Sequence, residues 1–292
     1  MILFLADGRL GNQLFQYAFL KKIQKNNEKI IISGFEELLE VFEIEDIINL
    51  NKKNRWVRAF CFRIVQPFLF FLSEINFISS ISINHEIVFE EYKNELSSYT
   101  FKKGFINSIT FVKLGFFQSE LFFNKKFVDN MKVKDIHLKN ADIFLNHISK
   151  KSYKIFVHIR RGDYKNFTYF GKGTLLPIYY YRNQINWFLK NRDNPSFIFL
   201  SDDPEFVEEE FKDIKNKYIS YNNHFGTDFA IMTKCNSAIL SPSSFGWWGS
   251  YLMKERDIVF VPKNWLAFNS PMESKSINIT EYMTEVYIDK TI

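Results

Sequence analysis

The sequence predicts an α/β protein of two Rossmann-like domains facing each other across a cleft. Three observations predict it. The chain opens as strand, loop, helix, strand; its second half alternates short apolar strands with helices from Tyr153 onward; and its 292 residues suffice for two domains at about 150 residues each. Strands that read as continuous apolar runs belong to parallel sheets covered on both faces, and such sheets bind ligands beyond the carboxyl ends of their strands.

The elements follow in order. Residues 2–6 form an apolar strand stopped by Asp7-Gly8; residues 12–25 carry Leu14, Tyr17, Ala18 and Ile23 at helical spacing; residues 29–34 form a second strand that ends on Gly34. This is a βαβ start. Residues 35–146 show Phe, Ile, Lys and Glu without clean periodicity and read as mostly helical. The polar stretch 146–152 marks a domain boundary, dividing the chain into residues 1–150 and 151–292. Beyond it come a strand at 154–159, a helix at 177–190 opened by proline, a strand at 197–200, an acidic helix at 205–211, a strand at 218–220, a helix at 228–234, a strand at 238–240, a helix at 245–253 and a strand at 258–261.

Composition narrows the class. Apolar residues make up 46% and charged residues 24%, which excludes a disordered chain. The 34 phenylalanines reflect a compositional bias, an aromatic-lined pocket or a membrane contact. The net charge of +5, spread along the chain, suits a phosphate-bearing ligand or an anionic membrane surface and gives no footprint for nucleic acid. Cys61 and Cys235 stand alone, without disulfide framework or zinc spacing, which points to a reducing cytoplasm. Residues 1–6 lack the basic start of a signal peptide, and the apolar stretch 59–81 is broken by Arg63, Gln66, Pro67 and Glu74, which makes it a poor membrane span.

Four segments carry chemistry. In Gly8-Arg9-Leu10-Gly11-Asn12, the glycines let the backbone approach a ligand and the following helix start favours an anion or a polar sugar; an ordinary turn with Asn12 as helix cap is the alternative. The spacing fits neither a dinucleotide fingerprint nor a P-loop. At the end of the 154–159 strand stands His158-Ile159-Arg160-Arg161-Gly162-Asp163. Alternation points His158 and Arg160 the same way, so Arg160 can hold two phosphate oxygens while Asp163 orients an arginine or accepts a proton; a structural ion pair is the alternative. In Ser201-Asp202-Asp203-Pro204, Asp203 reads as a helix cap and Asp202 as a polar group facing the cleft; neighbouring aspartates in an extended chain cannot both face one ion, so no metal site is assigned. Asp228, at a helix start, can accept two N–H donors from a guanine edge. Ser243 and Ser244 sit where another helix begins, so hydroxyls and amides can converge on a phosphate; simple capping is the alternative. Trp247 and Trp248 read as core, and His85, His137, His147 and His224 as structural or surface residues.

Taken together and in this order, the four segments resemble the α-1,2-fucosyltransferases of bacteria and animals, glycosyltransferase family 11. The resemblance implies a GT-B fold and an inverting, metal-independent transfer of L-fucose from GDP-fucose to the 2-hydroxyl of a terminal galactose, with no further cofactor. It implies that residues 151–292 bind GDP-fucose and residues 1–150 lie on the acceptor side. Arg160 would then grip the β-phosphate, His158 and Asp228 the guanine, and Ser243 and Ser244 the remaining phosphate oxygens. Asp202 joins the donor-binding residues, the Gly8, Gly11 and Asn12 loop faces the sugars, and Asp163 is the expected base. The partners implied are a galactose-terminated oligosaccharide or a lipid-linked glycan; a peripheral membrane protein would use the patch 60–72, and weak contact at the inner membrane face can coexist with catalysis. A fucosyltransferase of another linkage, a non-catalytic GDP-sugar-binding protein and a membrane-associated scaffold are the rival readings.

Overall fold

The computed structural model describes residues 1–52, 54–83, 88–89, 99–269, 274–275 and 278–288. His85 lies outside the described residues. The chain divides into two compact units, Met1–Lys132 and Val133–Ile292.

The first unit is built on a six-stranded sheet of β1 (Ile2–Leu5), β2 (Ile30–Ser33), β3 (Ile47–Asn49), β4 (Ile78–Ile83), β5 (Tyr99–Lys102) and β6 (Ile106–Val112), in the spatial order β3-β2-β1-β6-β4-β5. All its pairs are parallel except β4 with β5. Helices α1 (Leu10–Ile23) and α2 (Glu36–Val41) follow the first two strands. Helix α3 (Arg55–Phe60) runs through a wide π-turn at Cys61–Val65 into α4 (Gln66–Glu74).

The expected opening βαβ unit is therefore present, but the mostly helical reading of residues 35–146 is corrected by the four strands that this stretch gives to the sheet. The reason is visible in β4, Ile-Ser-Ser-Ile-Ser-Ile, whose Ser79 and Ser80 are buried alongside Ile78 and Ile81. A strand covered on both faces has no solvent side to impose a period of two, so its sequence does not announce it.

The second unit holds α5 (Asp135–Leu145), β7 (Tyr153–Ile159), α6 (Ile178–Asn191), β8 (Pro195–Ser201), α7 (Pro204–Glu210), β9 (Lys217–Ile219), α8 (Phe225–Thr233), β10 (Ser237–Leu240), α9 (Ser244–Tyr251), β11 (Val259–Pro262) and β12 (Met283–Val286). Its sheet is parallel throughout, in the order β9-β8-β7-β10-β11-β12. Counted along the unit this is 3-2-1-4-5-6, the dinucleotide-binding order, whose switch point lies between β7 and β10. Ile155, Val157 and Ile159 of β7 pack under Tyr180, Tyr181, Ile185 and Phe188 of α6, so His158 projects from the opposite face. The expected alternation from Tyr153 onward holds, with ends displaced by a few residues.

The boundary expected at residue 150 falls inside this unit. Helix α5 packs on α8, where the rings of His137 and His224 stack at 4.9 Å and Lys234 Nζ meets Asp142 Oδ1 at 2.5 Å. The polar stretch 146–152 is thus a surface turn between α5 and β7, because a chain break is set by packing and not by local polarity.

Gly104 stands against the backbone of β4: a Cβ there would lie 2.1 Å from the carbonyl carbon of Ile78. Gly104→Ala is expected to destabilise the first unit by about 3 kcal/mol or more, since backbone cannot yield as a side chain can. Urea unfolding checks it; a midpoint unchanged from wild type would contradict the packing described.

Candidate functional site

The switch point of the second unit gathers most of the residues singled out by the sequence. His158 is the penultimate residue of β7 and pairs in register with Leu200 of β8 and Leu240 of β10. Its ring is buried, 5.9 Å from the ring of Phe245 at the start of α9. Gly246 makes that approach possible: a Cβ there would come within 3.0 Å of the imidazole. Burial, reinforced by the Arg160 cation and only partly opposed by Asp202, pushes the imidazole down to about 4, so the ring is neutral at physiological pH. Its Nδ1 is buried without a hydrogen-bond partner.

Arg160 leaves the sheet just beyond β7. Its backbone N–H donates to Ser241 Oγ at 2.8 Å; its Nε donates to Asp163 Oδ1 at 2.7 Å and its Nη1 meets Asp202 Oδ2 at 2.8 Å. Two carboxylates therefore flank one guanidinium. Asp202 also accepts the backbone N–H groups of Arg161 and Gly162, at 2.8 and 3.1 Å. Asp202 is thus the clamp of the Arg160 loop, a role the sequence reading of a polar group facing the cleft did not contain. Asp203 occupies the N-cap position of α7 as expected, yet its carboxylate is engaged by Arg161 Nε at 3.1 Å and Lys165 Nζ at 3.0 Å. The two aspartates face different cations. Arg161 lies flat over Phe206, its guanidinium carbon 3.3 Å from the ring centre.

Ser241 is the residue that sequence reasoning passed over. Its hydroxyl receives the Arg160 amide, donates to the His158 carbonyl at 2.8 Å and meets Tyr181 Oη at 2.8 Å. Tyr164 Oη donates to the Pro242 carbonyl at 2.5 Å. These bonds stitch the loop after β7 to the loop after β10. The signal available beforehand was Tyr181, a buried helix tyrosine whose hydroxyl required a partner.

Ser243 is the N-cap of α9, but its hydroxyl makes no cap hydrogen bond, and the first turn holds no acidic residue. The amides of Ser244, Phe245 and Gly246 precede the first intrahelical bond, Trp247 N–H to Ser243 O at 2.9 Å. Both Trp247 and Trp248 are fully buried, as expected of core residues, and Trp247 Nε1 donates to the Asn278 carbonyl at 2.6 Å. The helix is anchored behind and carries no acidic residue in its first turn, an electrostatic setting that favours an anion at its amino end.

Asp228 sits one turn inside α8, with His224 as the actual cap through Nδ1 on the Gly226 amide at 3.1 Å. Ser220 Oγ donates to Asp228 Oδ1 at 2.5 Å, and Asn223 Nδ2 donates to Ser220 Oγ at 2.8 Å. Burial raises the Asp228 carboxyl to about 7 against the opposing Ser220 bond.

In the first unit, Gly8 adopts φ +83°, the left-handed conformation that favours glycine. Gly11 and Asn12 lie inside α1, so Asn12 does not cap it; Arg9 occupies the cap position, and Asn12 Oδ1 accepts from Gln118 Nε2 at 2.7 Å. Glu37 Oε2 accepts the Leu10 amide at 2.8 Å. A carboxylate already answers this helix start, which corrects the anion reading and leaves the polar-sugar one. Gln13, buried between the Gly8 carbonyl and the Leu38 amide at 2.9 Å each, fixes the loop and carried no sequence signal.

No group of three or more His, Cys, Asp or Glu placed to hold a metal ion occurs among the described residues.

Residues 1–285 match the family model described as "Glycosyl transferase family 11". An α-1,2-colitosyltransferase of Escherichia coli is 27% identical over 88% of this chain and 90% of its own length. A bovine galactoside 2-α-L-fucosyltransferase, SEC1, is 25% identical over 85% of this chain and 63% of its own. Among solved structures, POFUT1 in complex with GDP superposes with a TM-score of 0.54 at 12% identity, covering 89% of this chain and 97% of that one. The α/β, GT-B-like fold expected from the sequence agrees with it.

Asp202→Ala removes the acceptor of two amides and of one guanidinium arm. It is expected to cost about 1–3 kcal/mol in urea unfolding, with Asp202→Asn recovering part of the loss. Full stability in Asp202→Ala would remove the clamp role.

Proposed function

The chain belongs to glycosyl transferase family 11, and we propose that it transfers L-fucose from GDP-fucose to the 2-hydroxyl of a terminal galactose. The observation that supports this reading best is the stitched switch point: one guanidinium and one helix start without an acidic first turn follow neighbouring strands, tied together by Ser241 and Tyr164. That is the equipment a departing nucleoside diphosphate requires.

When the bond from fucose to the β-phosphate breaks, negative charge grows on the phosphate while the sugar becomes oxocarbenium-like. Fixed positive groups stabilise that charge without reorganising. Arg160 supplies a guanidinium whose position Asp163 and Asp202 set, and α9 supplies amides and the Ser243 and Ser244 hydroxyls. No divalent cation is required in this reading. Asp228 accepts the guanine N1–H and N2–H, and His158, held neutral, contributes a polar edge without adding a second charge. Asp202 acts through Arg160 as a positioning residue.

Attack of the acceptor hydroxyl from the opposite face of the sugar inverts the anomeric centre and releases the hydroxyl proton. Asp163, whose side chain is mostly exposed and bonded to Arg160 through Oδ1, is the assigned base. In the first unit, the Gly8, Gly11 and Asn12 loop takes a neutral, hydrogen-bonding ligand, in keeping with the Glu37 carboxylate at its helix start. Two buried, unpaired thiols, Cys61 and Cys235, suit a reducing cytoplasm as the setting. A second reading replaces fucose by colitose, because a colitosyltransferase is as similar to this chain as the fucosyltransferases are. The two readings share the linkage and differ in the donor sugar, so comparing product formed from lactose with GDP-fucose and with GDP-colitose separates them.

Arg160→Ala is expected to lower turnover by about 10³-fold and GDP affinity by at least about tenfold. Asp163→Asn should lower turnover by about 10²-fold or more with GDP still bound. Both are read by product formation, with and without EDTA, and by calorimetric GDP titration. Normal GDP affinity in Arg160→Ala, or turnover that EDTA abolishes and a divalent cation restores, overturns the charge assignment.

Guanine needs the ionised form of Asp228. Since burial holds this carboxyl near 7, GDP affinity is full well above that pH and falls as pH drops, by about tenfold at one unit below it. Asp228→Asn should weaken binding at high pH and leave only the phosphate's own dependence. A profile unchanged by the substitution contradicts the role.

A further inference from the structure

Outside the donor site, the helical run Arg55–Glu74 is long and apolar enough to cross a membrane. Its outer stripe, Trp56, Phe60, Ile64, Phe68, Phe71 and Ile75, recurs at steps of four, four, four, three and four residues. Each of the six keeps more than half of its surface exposed. The stripe stays on one side because the wide π-turn at Cys61–Val65 absorbs the drift that a run of i+4 steps otherwise accumulates. Phe77 and Phe105, both exposed and stacked at 6.2 Å, extend it beyond α4.

The opposite stripe is committed. Cys61 and Leu69 are buried in a core with Leu5, Ile78 and Phe111, and Val57, Val65 and Leu72 pack against it. Crossing a bilayer would tear this helix from its own sheet, and Arg63 would enter the hydrocarbon. Lying flat costs neither.

Charge identifies what covers the exposed stripe. Arg55 and Arg63 border it, both exposed, and Lys102 and Lys103 precede Phe105. The single acid of the run, Glu74, is bonded to Lys113 at 2.5 Å, and Lys102 also faces it. Two copies of the chain placed stripe to stripe would confront these cations with each other. Anionic headgroups would answer them.

We propose that the outer face of Arg55–Glu74 docks this protein on an anionic lipid bilayer, with the helix parallel to the surface and the six apolar side chains at the boundary between headgroups and acyl chains. The basic residues reach the phosphates from the flanks. This docking is independent of the donor assignment.

The test is sedimentation of the full chain with phosphatidylcholine vesicles, with and without phosphatidylglycerol. Wild type should bind the mixed vesicles and bind phosphatidylcholine alone more weakly. A Phe60→Ser, Phe68→Ser, Phe71→Ser triple variant should bind at least about tenfold less while keeping the wild-type circular dichroism spectrum and cooperative urea unfolding, which shows that the fold is intact. Trp56 is the only tryptophan of the first unit, so quenching by brominated lipid should vanish in Trp56→Phe. Wild type that ignores mixed vesicles, or a triple variant that binds them as well as wild type, overturns the proposal. So does a wild-type dimer in light scattering that the triple variant converts to monomer without any vesicle binding.

Discussion

The structure of the second unit turns on one guanidinium held at the mouth of a parallel sheet. Arg160 has Asp163 on one arm and Asp202 on another, and its amide is pinned to Ser241. A long flexible cation at a strand end would otherwise sample many rotamers, and fixing it costs up to about 2 kcal/mol of side-chain entropy. Two carboxylates meet that cost in advance. The guanidinium then waits in one orientation, and a ligand's oxygens need not reorganise it.

The same sheet treats its other ionisable groups differently. His158, a strand residue under Gly246 and Phe245, is kept neutral by burial beside a cation. Asp228, half-buried on α8 and bonded to the Ser220 hydroxyl, has its carboxyl raised to about 7 by burial. Desolvation raises an acid and lowers a base, so the same physical effect leaves a neutral imidazole at His158 and a raised carboxyl at Asp228.

The two helix starts that the sequence marked as anion sites diverge in the same physical terms. Helix α1 begins against Glu37, whose carboxylate takes the Leu10 amide, whereas α9 begins with a cap hydroxyl that makes no cap hydrogen bond and has no acid in its first turn. A helix amino end is attractive to a phosphate only while no carboxylate has already answered it.

Local sequence determined what depends on neighbours along the chain: the opening βαβ unit, the alternating strands and helices after Tyr153, the tryptophan pair as core, and the clustering of charge after the 153–159 strand. Each is written in consecutive residues through period, proline, glycine and charge. The tertiary structure alone decided the rest. Strand β4 was hidden because Ser79 and Ser80, buried with Ile78 and Ile81, interrupt its apolar run on both faces. The unit boundary moved to Lys132 because α5 packs on α8, and Asp202 became a clamp because β8 lies beside β7. Glu37 reached α1, and Ser241 reached Arg160 and Tyr181, across loops that no local pattern describes. A hydrogen bond forms between groups that are close in space, and only the sheet order brings residues eighty positions apart to one strand end.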